Sequence, residues 1–81
     1  MWSAYALQSK RDGFLYIGMS SDVSKRLEQH NRGYNRSTSS RAPFELFYVE
    51  QCGSREEARR REKFLKSGKG REFLRARLAA K

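Results

Sequence analysis

Eighty-one residues suffice for one domain, residues 1–81, and leave no room for a second. Eighteen Lys and Arg against nine Asp and Glu give a net charge of +9, which favours a polyanionic partner, either nucleic acid or an acidic membrane surface. The single cysteine, Cys52, excludes an internal disulfide and a thiolate metal cluster, so we expect it to be a small buried hydrophobe.

The first two predicted elements are β-strands that form a hairpin. Residues 2–8 and 14–19 are short aromatic or aliphatic runs, and Asp12-Gly13 lies between them. An Asp-Gly pair in this position is typical of a type I′ turn, because both residues tolerate positive φ. The pattern therefore predicts a two-residue loop at Asp12 and Gly13.

This loop sets which side chains share a face of the sheet. With two loop residues, Arg11 lies opposite Phe14, and odd positions of the first strand share a face with even positions of the second. We therefore expect Tyr5 and Tyr16 on one side of the sheet. A loop that is one residue longer or shorter would separate them.

A helix follows the hairpin. Ser20, Ser21 and Asp22 are its candidate N-cap residues, and we expect it to run to about Asn31 and to be ended by Gly33.

The side chains of this helix divide into two groups. Val23 and Leu27 are four residues apart and form an apolar stripe. Arg26 and His30 are also four apart and fall beside that stripe, so we expect both at the border between core and solvent.

A loop and a third strand come next. Residues 32–43 are polar, rich in Gly and Ser, and indicate a loop, whereas residues 44–51 are rich in aromatics and indicate a strand. The short connection between the first two strands makes that pair antiparallel.

Two helices complete the chain. Ser54 and Glu57 form a capping box, and the helix that they open is expected to reach about Ser67, with Gly68 as its C-terminal glycine. A last helix begins near residue 70 or 71 and continues to the end. The order ββαβαα predicts a small α/β fold of the α+β type, with a three-stranded sheet flanked by three helices.

The helix that begins at the capping box carries one carboxylate beside many cations. Ala58, Phe64 and Leu65 define its buried arc, and Glu62 lies at one edge of that arc. Three cations lie on the other flank: Arg55, Arg59 and Lys66. Two interpretations remain open for Glu62: a ligand for a divalent cation that faces a phosphate, or a plain i,i+4 ion pair with Lys66.

The basic residues favour nucleic acid over a membrane, because no basic helix has a matching aromatic face. The cations expected to contact nucleic acid are Arg26, Arg41, Arg55, Arg59, Lys66, Lys69 and Arg71. The sequence has no run of about 18 apolar residues and no leader pattern, so we expect a cytoplasmic protein.

Two tripeptides and two helices together resemble the GIY-YIG endonuclease family, in particular its short stand-alone bacterial members. Ser3-Ala4-Tyr5 and Tyr16-Ile17-Gly18 resemble the paired motifs that name the family, although Ser3-Ala4 replaces Gly-Ile. The stretch SDVSKRLEQHNRG resembles the family's helix with an Arg and a His, and EAxxREKFLK resembles the helix with its metal-binding Glu. Many members also carry a late Asn, which the C-terminal region of this sequence lacks.

The resemblance implies a three-stranded antiparallel sheet and hydrolysis of a phosphodiester bond with one Mg²⁺ or Mn²⁺. It implies that Glu62 binds the metal and that Tyr5 or Tyr16 helps to deprotonate the attacking water. Arg26 would lower the tyrosine pKa and stabilise the phosphorane-like transition state, and His30 would relay a proton or bind phosphate. Which tyrosine is the base stays open.

The resemblance thus predicts an endonuclease that acts on DNA, with a structure-selective role in repair or recombination, and RNA stays open as the alternative substrate. A protein partner for targeting would supply specificity. The alternative is a nucleic-acid-binding module that keeps the scaffold without catalysis.

Overall fold

A computed structural model describes residues 1–33 and 40–79. The elements are β1 (Trp2–Ser9), β2 (Leu15–Ser20), α1 (Val23–Asn31), β3 (Phe44–Cys52), α2 (Arg55–Lys66) and α3 (Gly68–Ala79). This order confirms the predicted ββαβαα arrangement and the α+β class. Residues 34–39 of the predicted loop and the last two residues of the predicted final helix lie outside the described residues.

The sheet has three antiparallel strands in the order β2-β1-β3. The central strand β1 is almost completely buried, whereas β2 and β3 each leave one edge of the sheet open. The register between β1 and β3 shifts at Ala6 and Leu7, where β3 carries a β-bulge.

Helices cover both faces of the sheet. On one face, Ala4 and Ile17 pack against Leu65 and Leu74 of α2 and α3. Each leucine is fully buried, which contributes about 1.5–3 kcal/mol per side chain.

The opposite face packs against α1. Tyr5, Leu7 and Phe44 form a second buried cluster there, and Val23 and Leu27 of α1 pack against it. The predicted apolar stripe of α1 is thereby confirmed.

The hairpin loop between β1 and β2 differs from the prediction. Ser9, not Arg11, lies opposite Phe14: its N–H donates to the Phe14 carbonyl at 2.8 Å. The loop therefore has four residues, 10–13. The predicted type I′ turn is wrong, because Gly13 has a φ of +76° while no non-glycine residue in the described part of the chain has a positive φ.

Side-chain hydrogen bonds explain the longer loop. The Ser9 hydroxyl accepts from the backbone N–H groups of Arg11 and Asp12, at 3.1 and 3.4 Å. The Asp12 carboxylate accepts from the Phe14 N–H at 3.0 Å. These contacts satisfy the loop backbone without a second residue at positive φ.

The observed register between β1 and β2 differs from the predicted one by two residues, so each side chain stays on the face that was predicted for it. Tyr5 pairs with Gly18, and Leu7 pairs with Tyr16. Side chains alternate with a period of two, so a two-residue shift returns each one to the same side. Tyr5 and Tyr16 therefore share a face, as predicted.

Helix α1 begins and ends where expected. Among the three candidate N-caps, the Asp22 carboxylate accepts from the Lys25 N–H at 3.1 Å. Gly33 has a φ of +79°, and its N–H donates to the His30 carbonyl at 3.1 Å. The Asn31 side chain then bonds both the N–H and the carbonyl of Phe44, at 2.6 and 3.1 Å, which joins α1 to β3.

The α2 cap is a variant of the predicted capping box. The Ser54 hydroxyl accepts from the Glu57 N–H at 3.1 Å, as expected. The Glu57 carboxylate accepts from the Gly53 N–H at 2.7 Å, one residue earlier than the standard box places it.

The predicted end of α2 is wrong in one respect. Ser67 ends the helix in an extended conformation, and Gly68 is the first residue of α3 instead of a C-terminal glycine with positive φ. The Ser67 hydroxyl accepts from the Gly70 N–H at 3.2 Å and so serves as a cap for α3. In the described part of the chain, helices are too short or too polar to cross a membrane.

Candidate active site at the edge of the sheet

A cleft of about 320 Å³ lies beside strand β2. Its lining residues are Trp2, Tyr5, Tyr16, Gly18, Met19, Arg26, Arg55, Arg59 and Glu62. Three arginines and one glutamate give this lining a positive charge, which suits an anionic group such as a phosphate. Four of the five predicted catalytic residues meet here, drawn from β1, β2, α1 and α2.

Gly18 makes room for the ring of Tyr5. A Cβ atom at position 18 would lie 2.7 Å from the Tyr5 hydroxyl oxygen and 2.9 Å from the ring carbon that bears it. The Tyr5 side chain therefore crosses β2 at the one position where that strand presents no side chain of its own. The sequence motif alone gave Gly18 no separate role, although a glycine inside a strand often marks such a close approach.

Tyr5 is held in a buried, positively charged environment. Its side chain is 1% exposed, and this burial raises the pKa of the phenol, while a hydrogen bond to Arg26 and the Arg26 charge oppose the rise. The same hydrogen bond is the main cause of a raised pKa for Arg26, and contacts with Tyr16 add to it. Arg26 also donates to the Gln29 side chain at 3.1 Å. The guanidinium is thus fixed against both tyrosines.

His30 lies beneath the cleft and is not one of its lining residues. It is 1% exposed, so the prediction that it lies at the border between core and solvent is wrong. His30 is in the last turn of α1, and its ring lies between those of Tyr16 and Phe44, with centroid distances of 4.4 and 6.0 Å. Burial, and then the charge of Arg26, lower the pKa of His30. The neutral ring supports Tyr16 from below.

Glu62 is both an ion-pair partner and a residue of the cleft. The predicted pair with Lys66 is present at 3.1 Å, and Arg59 pairs with the other carboxylate oxygen at 3.2 Å. The Glu62 side chain is 9% exposed, and the residue belongs to the buried arc of α2 together with Ala58 and Leu65. The ion-pair interpretation of Glu62 is therefore confirmed, and its role as a metal ligand stays a prediction.

The predicted nucleic-acid contacts fall into two sets. Arg26, Arg55 and Arg59 line the cleft, and Lys66 borders it through Glu62. The Arg55 guanidinium also lies 5.3 Å from the Trp2 ring.

The other three predicted contacts lie away from the cleft. Arg41 pairs with Asp12 at 3.0 Å and stacks on Phe14 at 4.1 Å, at the hairpin loop. Arg71 donates to the Lys66 carbonyl at 3.4 Å, and Lys69 is exposed near the start of α3. These three residues are not among those that line the cleft.

The site offers one carboxylate to a divalent cation. Within residues 1–33 and 40–79, no group of three or more His, Cys, Asp or Glu side chains forms a metal cage. Mg²⁺ keeps several water ligands and commonly binds through one or two carboxylates plus substrate phosphates. A single carboxylate in a positively charged cleft fits a metal that the protein and a substrate phosphate would hold jointly.

Comparisons with known proteins place these features in a family. Residues 1–75 match the model of the GIY-YIG catalytic domain. A UPF0213 protein of Desulfotalea psychrophila is 39% identical over 67 residues, which cover 80% of this chain and 60% of the relative. A UPF0213 protein of Streptococcus agalactiae is 43% identical over 56 residues, which cover 68% of this chain and 64% of the relative.

A solved structure agrees with these matches. The solution NMR structure of a UPF0213 protein from Bacillus halodurans has a TM-score of 0.55 and 35% sequence identity, and the alignment covers 94% of this chain and 84% of that one. The chain spans somewhat less than two thirds of the length of the Desulfotalea and Streptococcus relatives.

Proposed function

Because this chain belongs to the GIY-YIG catalytic-domain family, which implies a nuclease-type function and nucleic-acid binding, we propose that it is a metal-dependent endonuclease that hydrolyses DNA. The observation that carries the proposal is the convergence of Tyr5, Tyr16, Arg26 and Glu62 on one positively charged cleft. An ion pair or a structural tyrosine requires no such convergence from four separate elements.

Arg26 is the electrostatic centre of the proposed mechanism. Its guanidinium interacts with both tyrosine side chains, so it would stabilise a phenolate and the extra charge of a pentacovalent phosphate. Glu62 would hold Mg²⁺ or Mn²⁺, which supplies charge stabilisation at the phosphate and the departing oxygen.

In this proposal Tyr16 is the residue that accepts the proton of the attacking water. Tyr5 is buried and its raised pKa keeps its proton in place, so its oxygen accepts a hydrogen bond from Arg26 while its hydroxyl would donate to the phosphate. Tyr16 is half-buried at the cleft and rests on the neutral His30 ring. In this proposal His30 positions Tyr16 and does not itself touch the phosphate.

The competing function is a nucleic-acid-binding module without catalysis. The observation that favours it is the pairing of both Glu62 oxygens with Arg59 and Lys66, which is how a structural glutamate behaves. Such a module would bind DNA in a salt-sensitive manner and leave it intact.

Cleavage assays with a matched pair of glutamate variants separate the two functions. Labelled duplex, flap and single-stranded DNA, and an RNA of the same sequence, are incubated with Mg²⁺ or Mn²⁺. We expect DNA cleavage that Glu62→Gln lowers by on the order of 10²–10³-fold, whereas Glu50→Gln, on β3, leaves it within a few-fold. Metal-dependent cleavage that is unchanged in Glu62→Gln contradicts the proposal, and tight DNA binding without cleavage supports the module.

The substrate panel also tests the proposed biology. We propose a role in repair or recombination, with branched or flapped DNA as the preferred substrate and a protein partner that supplies targeting. Equal cleavage of flap and plain duplex, and of DNA and RNA, would contradict that part of the proposal.

A further inference from the structure

Both oxygens of the Glu62 carboxylate are engaged by cations. The Arg59 Nη1 atom lies 3.2 Å from Oε1, and the Lys66 Nζ atom lies 3.1 Å from Oε2. The exposures are unequal: the Glu62 side chain is 9% exposed, whereas those of Arg59 and Lys66 are 63% and 52% exposed. The carboxylate is fixed in the protein, and its two partners reach it from the solvent side.

This arrangement opposes the binding of a divalent cation to the free protein. A cation at Glu62 must replace at least one of the two partners at a carboxylate oxygen. The three groups carry one negative and two positive charges, a net of +1, and a divalent cation would raise this local charge to +3. Arg26 and Arg55 in the same cleft add to the repulsion.

Nucleic acid removes this opposition. Phosphate oxygens match the planar fork of arginine and attract the ammonium of lysine, so they compete directly for the two partners of Glu62. Two phosphates on Arg59 and Lys66 lower the local charge from +3 to +1 when the divalent cation is present. Two carboxylate contacts are lost, two phosphate contacts form, and the freed carboxylate oxygens bind the cation.

We propose that DNA gates the metal site: Arg59 and Lys66 hold the Glu62 carboxylate in the free protein, and substrate phosphates draw them away so that the metal binds. The inference rests on the proposed function, since it takes Glu62 as the metal ligand. The exchange requires little free energy, because ion pairs with half-exposed partners are weak. The long side chains of Arg59 and Lys66 can turn toward solvent while the helix keeps Glu62 in place.

The first test measures Mn²⁺ affinity in the absence of DNA. Electron paramagnetic resonance of free Mn²⁺ is used to titrate the wild-type protein, Arg59→Gln/Lys66→Gln and Glu62→Gln. We expect the double variant to bind Mn²⁺ about fivefold more tightly or better, which is the usual lower range of coupling between two sites. In the triple variant, in which Glu62→Gln is added to Arg59→Gln/Lys66→Gln, this gain in Mn²⁺ affinity must disappear.

A second double variant controls for net charge. Arg60→Gln/Lys63→Gln removes the same two charges from the exposed side of the same helix. It should leave the Mn²⁺ affinity close to that of the wild type. An equal gain in both double variants would mean that long-range charge sets the affinity, and this would overturn the gating proposal.

The reciprocal test uses the affinity for DNA. Coupling between two binding sites is mutual, so Mn²⁺ at constant ionic strength should tighten the binding of a labelled DNA hairpin, measured by fluorescence anisotropy in the cold. A gel confirms that the DNA stays intact. The gain should disappear in Glu62→Gln and shrink in Arg59→Gln/Lys66→Gln.

The outcomes distinguish this inference from the proposed function. If Glu62→Gln weakens Mn²⁺ binding while Arg59→Gln/Lys66→Gln and DNA leave it unchanged, the gate is overturned and the metal site stands. If no variant shows Glu62-dependent Mn²⁺ binding, with or without DNA, the proposed function fails and the gate fails with it.

Discussion

The two edges of the sheet carry the same kinds of side chain, yet they differ in chemistry. The cleft at the β2 edge combines Tyr5, Arg26 and Glu62. We refer to the corresponding group beside β3 as the β3-edge cluster, and its members are Tyr48, Glu50, Arg61, Phe73 and Arg77. Each edge thus contains tyrosine, arginine and glutamate.

The partner of the tyrosine differs between the edges. In the β3-edge cluster the Tyr48 hydroxyl donates to the Glu50 carboxylate at 3.2 Å, and burial and then the Glu50 charge raise the pKa of Tyr48. In the cleft the Tyr5 hydroxyl meets the Arg26 guanidinium, which opposes the effect of burial. Burial raises the pKa of both phenols, but the carboxylate adds to the rise at Tyr48 whereas the guanidinium limits it at Tyr5.

The filling of space differs as well. Phe73 packs edge-on against Tyr48 with ring centroids 5.5 Å apart, and Arg77 covers the Tyr48 ring at 4.9 Å. At the β2 edge, Gly18 contributes no side chain and the Tyr5 ring passes over it. Residue types alone therefore do not distinguish the two edges, whereas the arginine partner of Tyr5 and the missing side chain at Gly18 do.

The largest expected contrast is between Arg26, which interacts with Tyr5 in the cleft, and Arg61, which interacts with Tyr48 and Glu50 in the β3-edge cluster. Arg26→Gln should lower DNA cleavage by about 10²–10³-fold, because it removes a donor aimed at the reacting phosphate. Arg61→Gln should leave the cleavage rate within a few-fold and instead lower the unfolding free energy by up to about 1 kcal/mol, through loss of the pair with Glu50. Single-turnover cleavage and urea unfolding measure the two effects, and similar losses of activity would end the contrast.

The next contrast concerns two glycines. Gly18→Ala should lower kcat by about 10²-fold with little change in KM, because the new methyl group moves the Tyr5 hydroxyl by about 1 Å. Gly68→Ala is the matched control, since a Cβ at that position meets nothing within 4 Å. A Gly18→Ala protein with full kcat would show that the position of Tyr5 is unimportant for cleavage.

A smaller effect is expected from the β3-edge tyrosine. Tyr48→Phe removes a hydrogen bond to a carboxylate and should lower the unfolding free energy by about 1–2 kcal/mol without affecting cleavage. Tyr5→Phe should instead reduce cleavage, because its hydroxyl lies at the cleft. Thermal unfolding and the cleavage assay together check the pair, and a loss of activity in Tyr48→Phe counts against the comparison.

The smallest expected effect is a pH dependence of the unfolding free energy, which comes from His30 packed against Tyr16 of β2. Burial lowers the pKa of His30 below its ordinary value of 6.5, so the unfolded chain binds a proton at a higher pH than the folded one. Stability is fully present above about pH 6.5 and falls as the pH drops toward the folded pKa. Urea unfolding at pH 7.5 and 5.5 should show a smaller acid loss in His30→Gln than in the wild type, and equal losses would contradict this assignment.

Local sequence signals predicted most of the fold. The cap at Asp22, the glycine after α1 and the Ser54 cap of α2 all depend on residues within a few positions of one another, and each is present in the structure. The hairpin loop was less predictable, because hydroxyl and carboxylate groups of Ser9 and Asp12 bond its backbone in place of a second positive φ. The prediction that Gly68 ends α2 is wrong because Ser67 both ends α2 and caps α3, which leaves Gly68 as the first residue of α3.

The candidate site was predictable as a set of residues but not as an arrangement. Motif spacing identified Tyr5, Tyr16 and Arg26, and helix periodicity placed Glu62 at the edge of the core. The burial of His30 depends on how α1 packs against Tyr16 and Phe44, which its own periodicity does not reveal. The role of Gly18 depends likewise on the register between two strands.

The hairpin register has a consequence for how the loop between β1 and β2 can change length. The loop has four residues where the Asp-Gly pair predicted two, and Tyr5 and Tyr16 still share a face. Insertions or deletions of two residues should therefore preserve the cleft, whereas a single-residue change would invert every side chain of one strand. We expect natural or engineered length variation in this hairpin to be tolerated in even steps only.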